Sequence, residues 1–152
     1  MIGILIGSES DREVMLNCSE KLEEFGIVHT MVVASAHREP KKVTKHIQSW
    51  EYLGYKIIIA AAGMSAALPG VVASQTKLPV IGVPMKSDLM GIDSLLSIVQ
   101  MPKGVPVACM SIGKHGAVNA ALFAKRILEC GHTKTTDDDY IDNNDEPDID
   151  RD

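Results

Sequence analysis

Short apolar runs rich in Ile and Val alternate along this chain with longer stretches in which apolar residues recur at helical spacing. The first kind suits buried parallel strands and the second amphipathic helices, so the alternation predicts βαβ units. Ile2–Ile6 reads as a first strand and Ser8–Asp11 as a loop or helix cap. Val14, Met15, Cys18 and Leu22 then fall on one face of a helix ending at Gly26. Ile27–Ala34 gives a second strand. Pro40 suits the first turn of a helix with Val43, Ile47 and either Trp50 or Leu53 inward, stopping at Gly54. Ile57–Ala61 is wholly apolar, as a central parallel strand should be. Residues 63–73 read as a tight loop passing into a short helix that Pro69-Gly70 interrupts. Val80–Val83 is a fourth strand, Ile92–Val99 a helix, Val105–Met110 a fifth strand and Ala117–Leu128 a closing helix.

Five strands with intervening helices predict an α/β fold, a three-layer α/β/α sandwich with a parallel flavodoxin-like sheet. Its ligand crevice should lie at the carboxyl ends of the strands, where strand order reverses. A chain of 152 residues is one domain of common size. Charge is unevenly placed: residues 137–152 hold nine Asp and Glu against Arg151, so the total of -5 conceals a body of +3. Residues 1–131 read as the folded domain. Residues 132–152 read as an acidic tail with too little apolar surface to offset its ordering entropy, hence disordered or loosely tethered. Lys41, Lys42 and Lys45 share one helix, as a solvated face or as an attractor for an anion. Aromatic residues make up 4% of the chain and do not interleave with basic ones, which argues against a nucleic-acid partner. Cys18, Cys109 and Cys130 are odd in number, far apart and without ligand spacing, so buried thiols and no metal are expected. The apolar N-terminus lacks a basic flank and breaks at Gly7, and no run reaches the ~18 residues of a membrane span. The expectation is a cytoplasmic protein with no membrane partner.

The loops after the strands are where chemistry should be sought, because a rigid sheet presents them together. Ser35-Ala36-His37-Arg38-Glu39-Pro40 sets an imidazole beside a fixed cation where the second strand runs out. The pair reads either as loop polars or as a neutral-pH proton carrier next to an anion grip. Gly7-Ser8-Glu9-Ser10-Asp11 opens a helix, so its hydroxyls and N–H groups are caps, or a phosphate cradle in which Asp11 accepts from a ribose diol. Gly63-Met64-Ser65-Ala66-Ala67-Leu68-Pro69-Gly70 is rich in small residues that let backbone approach a planar ligand or another subunit. It lacks the spacing of dinucleotide or P-loop fingerprints. Gly113-Lys114-His115-Gly116 follows the fifth strand in the same manner.

Taken together, Gly7-Ser8-x-Ser10-Asp11, Ser35-Ala36-His37-Arg38, the Ala62-Gly63 loop ending Leu68-Pro69-Gly70, and Leu95–Pro102 with Gly104-Val105-Pro106-Val107 resemble a known family. It is the 5-(carboxyamino)imidazole ribonucleotide mutases of purine biosynthesis, and the likeness runs from residue 2 to about residue 130. The resemblance implies a cofactor-free isomerisation that moves a carboxylate from the exocyclic nitrogen of an aminoimidazole ribonucleotide to ring carbon C4. It implies His37 as the catalytic proton shuttle, oriented by Ser35. Ser8, Asp11 and Arg38 would hold the ribose phosphate end or its neighbourhood, the loop of residues 63–67 would line the space for released carbon dioxide, and Ser35, Gly63, Ser65 and Leu68 would also bind substrate. An imidazole suits proton exchange near neutrality because its ordinary pKa is about 6.5. Gln100, Met101 and Pro102 would close the site or a subunit contact, or pack in the core. The partners implied are a ribonucleotide substrate and further copies of the chain, as an octamer. The apolar share and the small-residue helix Ala117–Leu128 point to the same self-association.

Two departures stand out. Mutases of this kind carry Gly-Gly-Ala-Ala-His-Leu-Pro-Gly in the third-strand loop, whereas Ala67 here replaces the histidine and Met64-Ser65 replace two small residues. A related carboxylase that joins free carbon dioxide to aminoimidazole ribonucleotide is therefore an alternative, and His115 is a candidate substitute for the missing imidazole. A non-catalytic flavodoxin-like binding module would share the same alternation. The second departure is the acidic tail, which begins where the family usually continues into a helix used in oligomer contacts.

Overall fold

The structure is a computed structural model that describes residues 1–130. Its elements are β1 (Ile2–Ile6), a 3-10 turn (Glu9–Asp11), α1 (Arg12–Glu24), β2 (His29–Val33), α2 (Pro40–Tyr52), β3 (Ile57–Ala62), α3 (Leu68–Ala73), β4 (Val80–Pro84), α4 (Ile92–Val99), β5 (Ala108–Cys109) and α5 (Lys114–Cys130). The strands form one sheet in the order β2-β1-β3-β4-β5, every neighbouring pair parallel. The chain steps outward from β1 to β2 and returns on the other side of β1 to lay down β3. That reversal is the switch point at which such sheets open a ligand crevice.

Side-chain parity builds the two faces. Ile2, Ile4 and Ile6 point to one side with Ile57, Ile59, Ile81 and Val83, where Met15, Cys18 and Leu22 of α1 and Ala117, Ala120, Ala121 and Ala124 of α5 cover them. Leu5, Ile58, Ala60 and Val80 point to the other, under Val43, Ile47 and Trp50 of α2, Leu68 and Val72 of α3 and Ile98 of α4. The helices thus lie on both faces, and the three-layer flavodoxin-like sandwich is as expected. The inward residue of α2 is Trp50, which stacks on Tyr55 with ring centroids 5.5 Å apart. Leu53 is 54% exposed. The Tyr55 hydroxyl lies 2.9 Å from Thr30 Oγ1, which satisfies its polar end.

Several expectations are corrected. The fifth strand is two residues long rather than spanning Val105–Met110, because Pro106 has no N–H to give a ladder and pairing begins only at Ala108 opposite Ile81. Pro69-Gly70 does not interrupt α3. Pro69 sits in the helix's first turn, where no N–H is needed. Only Cys18 is a buried thiol, and burial pushes it up to about 12. Cys109 is half-buried and Cys130 exposed. The small residues of α5 are core rather than a sticky surface, since they bring α5 close to the sheet and α1. No helix among the described residues is long and apolar enough to cross a membrane. The expected acidic tail at 132–152 lies outside the described residues.

Gly116 shows how tightly α5 is seated: a Cβ there would stand 1.7 Å from the backbone oxygen of Ser111. Gly113, at φ 73°, has open space around its missing Cβ. Gly116→Ala should cost more than ~3 kcal/mol, because a backbone atom cannot step aside as a flexible side chain can. Gly113→Ala should cost about 1–2 kcal/mol, from left-handed strain alone. Urea unfolding of both variants checks the ranking, and equal losses would refute the packing argument.

Candidate functional site

The last rungs of the ladder carry straight into the loops at the carboxyl edge. Gly7 N–H donates to Ala61 O at 2.9 Å, Ala34 N–H to Ile6 O at 2.9 Å, and Met85 N–H to Ala62 O at 2.9 Å. The loops after β1, β2, β3 and β4 therefore start from fixed points and surround one cleft of about 600 Å³, well within the size of small-molecule sites.

The β1 loop contributes Gly7, Ser8, Ser10 and Asp11 to the cleft. Ser8 is a cap as well as a lining residue: its Oγ accepts from Ser10 N–H at 3.3 Å and lies 2.8 Å from Ser10 Oγ. Glu9 and Arg12 pair across the same 3-10 turn and hold it. Asp11 is half-buried, and that burial raises its carboxyl above the ordinary value, although the Ser8 backbone and the Ser10 hydroxyl pull it back down.

The β2 loop contributes Ser35, Ala36, His37 and Arg38. Ser35 is buried, its Oγ accepting from Arg38 N–H at 3.3 Å and its carbonyl from Glu39 N–H at 2.8 Å. The bonds of Ser35 thus shape the turn that presents His37 and Arg38, and no hydrogen bond joins its hydroxyl to the imidazole. Both His37 and Arg38 are exposed, and among the described residues neither side chain forms a hydrogen bond or ion pair. An imidazole and a guanidinium are thereby left available to a ligand.

The β3 loop contributes Gly63, Met64, Ser65, Ala67 and Leu68. Met64 holds φ at 56°, a left-handed conformation uncommon for a bulky residue, and is 68% exposed. All eight residues expected from the sequence, Ser8, Asp11, Ser35, His37, Arg38, Gly63, Ser65 and Leu68, thus line one cleft. Lys114 and His115 are not among the lining residues. Gln100, Met101 and Pro102 are absent from the lining too. Met101 packs its sulfur over Gly70, 3.2 Å from where a Cβ would be.

Sequence reasoning missed the fourth wall, Lys86, Ser87 and Asp88 after β4. These residues match no phosphate-binding spacing, but their place after a strand was signal enough. The loop is well supported: Ser87 Oγ donates to Asp93, and buried Ser94 Oγ lies 2.6 Å from Met85 O and 2.9 Å from Gly91 O. Gly91 is required there, since at φ 88° a Cβ would meet Ile112 Cγ2 at 2.7 Å.

The raised Asp11 carboxyl means that its charged form costs the folded protein stability. Below 3.8, its ordinary value, folded and unfolded states are both protonated and that cost vanishes. Asp11→Asn should therefore raise the urea midpoint at pH 7, with the gain shrinking as pH falls through the raised pKa and absent at about pH 3. A midpoint gain independent of pH would show that the cost is not electrostatic.

A sequence model of the AIR carboxylase family matches residues 1–144. The chain is 47% identical over 133 residues to N5-carboxyaminoimidazole ribonucleotide mutase of Pseudomonas aeruginosa, covering 87% of this chain and 82% of that one. It is 52% identical over 129 residues to the mutase of the same name from Bacillus subtilis, covering 84% and 80%. Treponema denticola PurE, a solved structure, superposes with a TM-score of 0.77 at 34% identity, over 85% of this chain and 80% of that one. The family model and the likeness to these relatives, over the whole described domain, show that this chain belongs to the AIR carboxylase family.

Proposed function

We propose that this protein is an N5-carboxyaminoimidazole ribonucleotide mutase, converting the carbamate ribonucleotide to 4-carboxy-5-aminoimidazole ribonucleotide in purine biosynthesis. The observation that carries the reading is the meeting of an unpaired His37 and Arg38 with the Ser8–Asp11 turn and the small-residue β3 loop around one cleft. Mutase is also the name borne by the relatives at 47% and 52% identity. Arg38, Ser8 and Asp11 bind the ribose phosphate end, through a charge-assisted grip, hydroxyls and a diol acceptor.

The chemistry follows from the two states of one imidazole. The carbamate N–C bond breaks with its electron pair going to the exocyclic nitrogen, which takes a proton from His37, and carbon dioxide is released beside Gly63, Ser65 and Leu68. Ring carbon C4, enriched by the freed amine, attacks carbon dioxide and forms the new C–C bond. Neutral His37 then removes the C4 proton and is ready for the next cycle. No net proton is consumed, so the one residue serves as acid and then as base.

Holding carbon dioxide requires water to be kept out, while His37 and Arg38 are exposed in the single chain. Further copies of the chain would supply the cover. Leu89, Met90, Ile92, Leu96 and Val99 on and before α4 form an apolar face 47–74% exposed, a more suitable contact than α5. A cytoplasmic homo-oligomer, an octamer by resemblance, is part of the proposal. The carboxylase remains as second reading for one specific reason, the alanine at position 67 where mutases of this kind have histidine.

His37→Asn should lower turnover of the carbamate by about 10²–10⁴-fold with the fold intact by circular dichroism. Arg38→Ala should act chiefly on KM. The deciding assay offers wild type the carbamate ribonucleotide, and separately aminoimidazole ribonucleotide with bicarbonate, both without ATP. Faster His37-dependent use of the carbamate supports the mutase, preference for the amine makes the protein a carboxylase, and silence in both returns the binding module.

A further inference from the structure

We infer that Lys86 is the residue that recognises the migrating carboxylate, in place of the imidazole missing at position 67. The inference deepens the proposed activity and rests on it. Lys86 lines the same cleft as His37 and Arg38 but from the β4 loop. Strand order places β1 and β3 between β2 and β4, so Arg38 and Lys86 rise from opposite ends of the cleft. Three strand spacings separate their strands, roughly 14 Å. The substrate has matching polarity, with a phosphate on the ribose at one end and a carboxylate on the imidazole at the other. One cation cannot serve both.

The surroundings of Lys86 leave its ammonium to a ligand. Among the described residues it makes no ion pair or hydrogen bond, and neighbouring Asp88 forms no ion pair with it. The loop also runs in contact with the one that lacks the histidine. A Cβ on Gly63 would stand 3.4 Å from Met85 Cβ and 3.8 Å from Lys86 O, and Met85 N–H is tied to Ala62 O at 2.9 Å. Its backbone is thereby fixed while the side chain is free to move. A compact cation on a four-carbon stem suits a carboxylate that changes its attachment from nitrogen to carbon during the reaction, since it can stay paired with the group throughout.

The test is equilibrium binding to full-length protein of two nucleotides that differ by one group: 4-carboxy-5-aminoimidazole ribonucleotide and aminoimidazole ribonucleotide. Lys86→Gln should weaken the carboxylated nucleotide about ten- to a hundredfold, the range for one lost charge-assisted hydrogen bond, and leave the uncarboxylated one within about twofold. Lys86→Arg should recover most of the loss. Equal weakening of both nucleotides, or of neither, would overturn the assignment while leaving the proposed activity standing. Wild-type protein that binds neither nucleotide would overturn the activity itself and the assignment with it.

Discussion

The site depends on the way three strand ends are tied together at the switch point. β1 is hydrogen-bonded on both sides in strict parallel register, Ile6 opposite Val33 and also opposite Ala61. Continuing the ladder by one bond on each side, through Gly7 to Ala61 and Ala34 to Ile6, carries this order beyond the strands. A slip of one residue would turn Ile2, Ile4 and Ile6 to the opposite face, away from the α1 and α5 side chains that cover them. Burial on both faces therefore fixes the register, and the register fixes where His37, Asp11 and Gly63 begin.

That division of labour explains why the loops need little internal structure. Three of the four are held by a serine: Ser8 caps the 3-10 turn, Ser35 closes the turn before Arg38, and Ser94 meets the carbonyls of Met85 and Gly91. In each case a short hydroxyl satisfies backbone groups that a ladder cannot reach. The larger polar side chains, His37, Arg38 and Lys86, take no part in those devices. Ser8 and Asp11 differ from them in both lining the cleft and bonding within their own turn, and burial in that position is what raises the Asp11 carboxyl.

Much of this was legible from the sequence because parallel strands announce themselves. β1, β3 and β4 are unbroken apolar runs, and α4 is bounded as its periodicity predicts. Part of what failed did so where burial is partial. β5 is an edge strand of two half-buried residues, so Val105–Val107 look like strand by composition but have Pro106 in the way of pairing. Cys130 stands in an apolar pattern yet faces outward at the helix end, since one helix has both an inner and an outer side. Met101, expected in the site, a subunit contact or the core, lies over Gly70 of α3 within the chain, a contact that no periodicity announces.

The site's first three walls were found by their unusual composition, and the fourth escaped because lysine, serine and aspartate are what any surface loop contains. Composition marks a loop only when the loop must do something that ordinary residues cannot, as Gly91 does by holding a left-handed turn with no room for a Cβ. Topology has no such blind spot: any residue following β4 on this sheet stands beside the loop of β3, whatever its type. In an open parallel sheet, the strand order is therefore a stronger guide to a ligand's surroundings than motif, and Lys86 and Asp88 belong to the cleft for the same reason as His37.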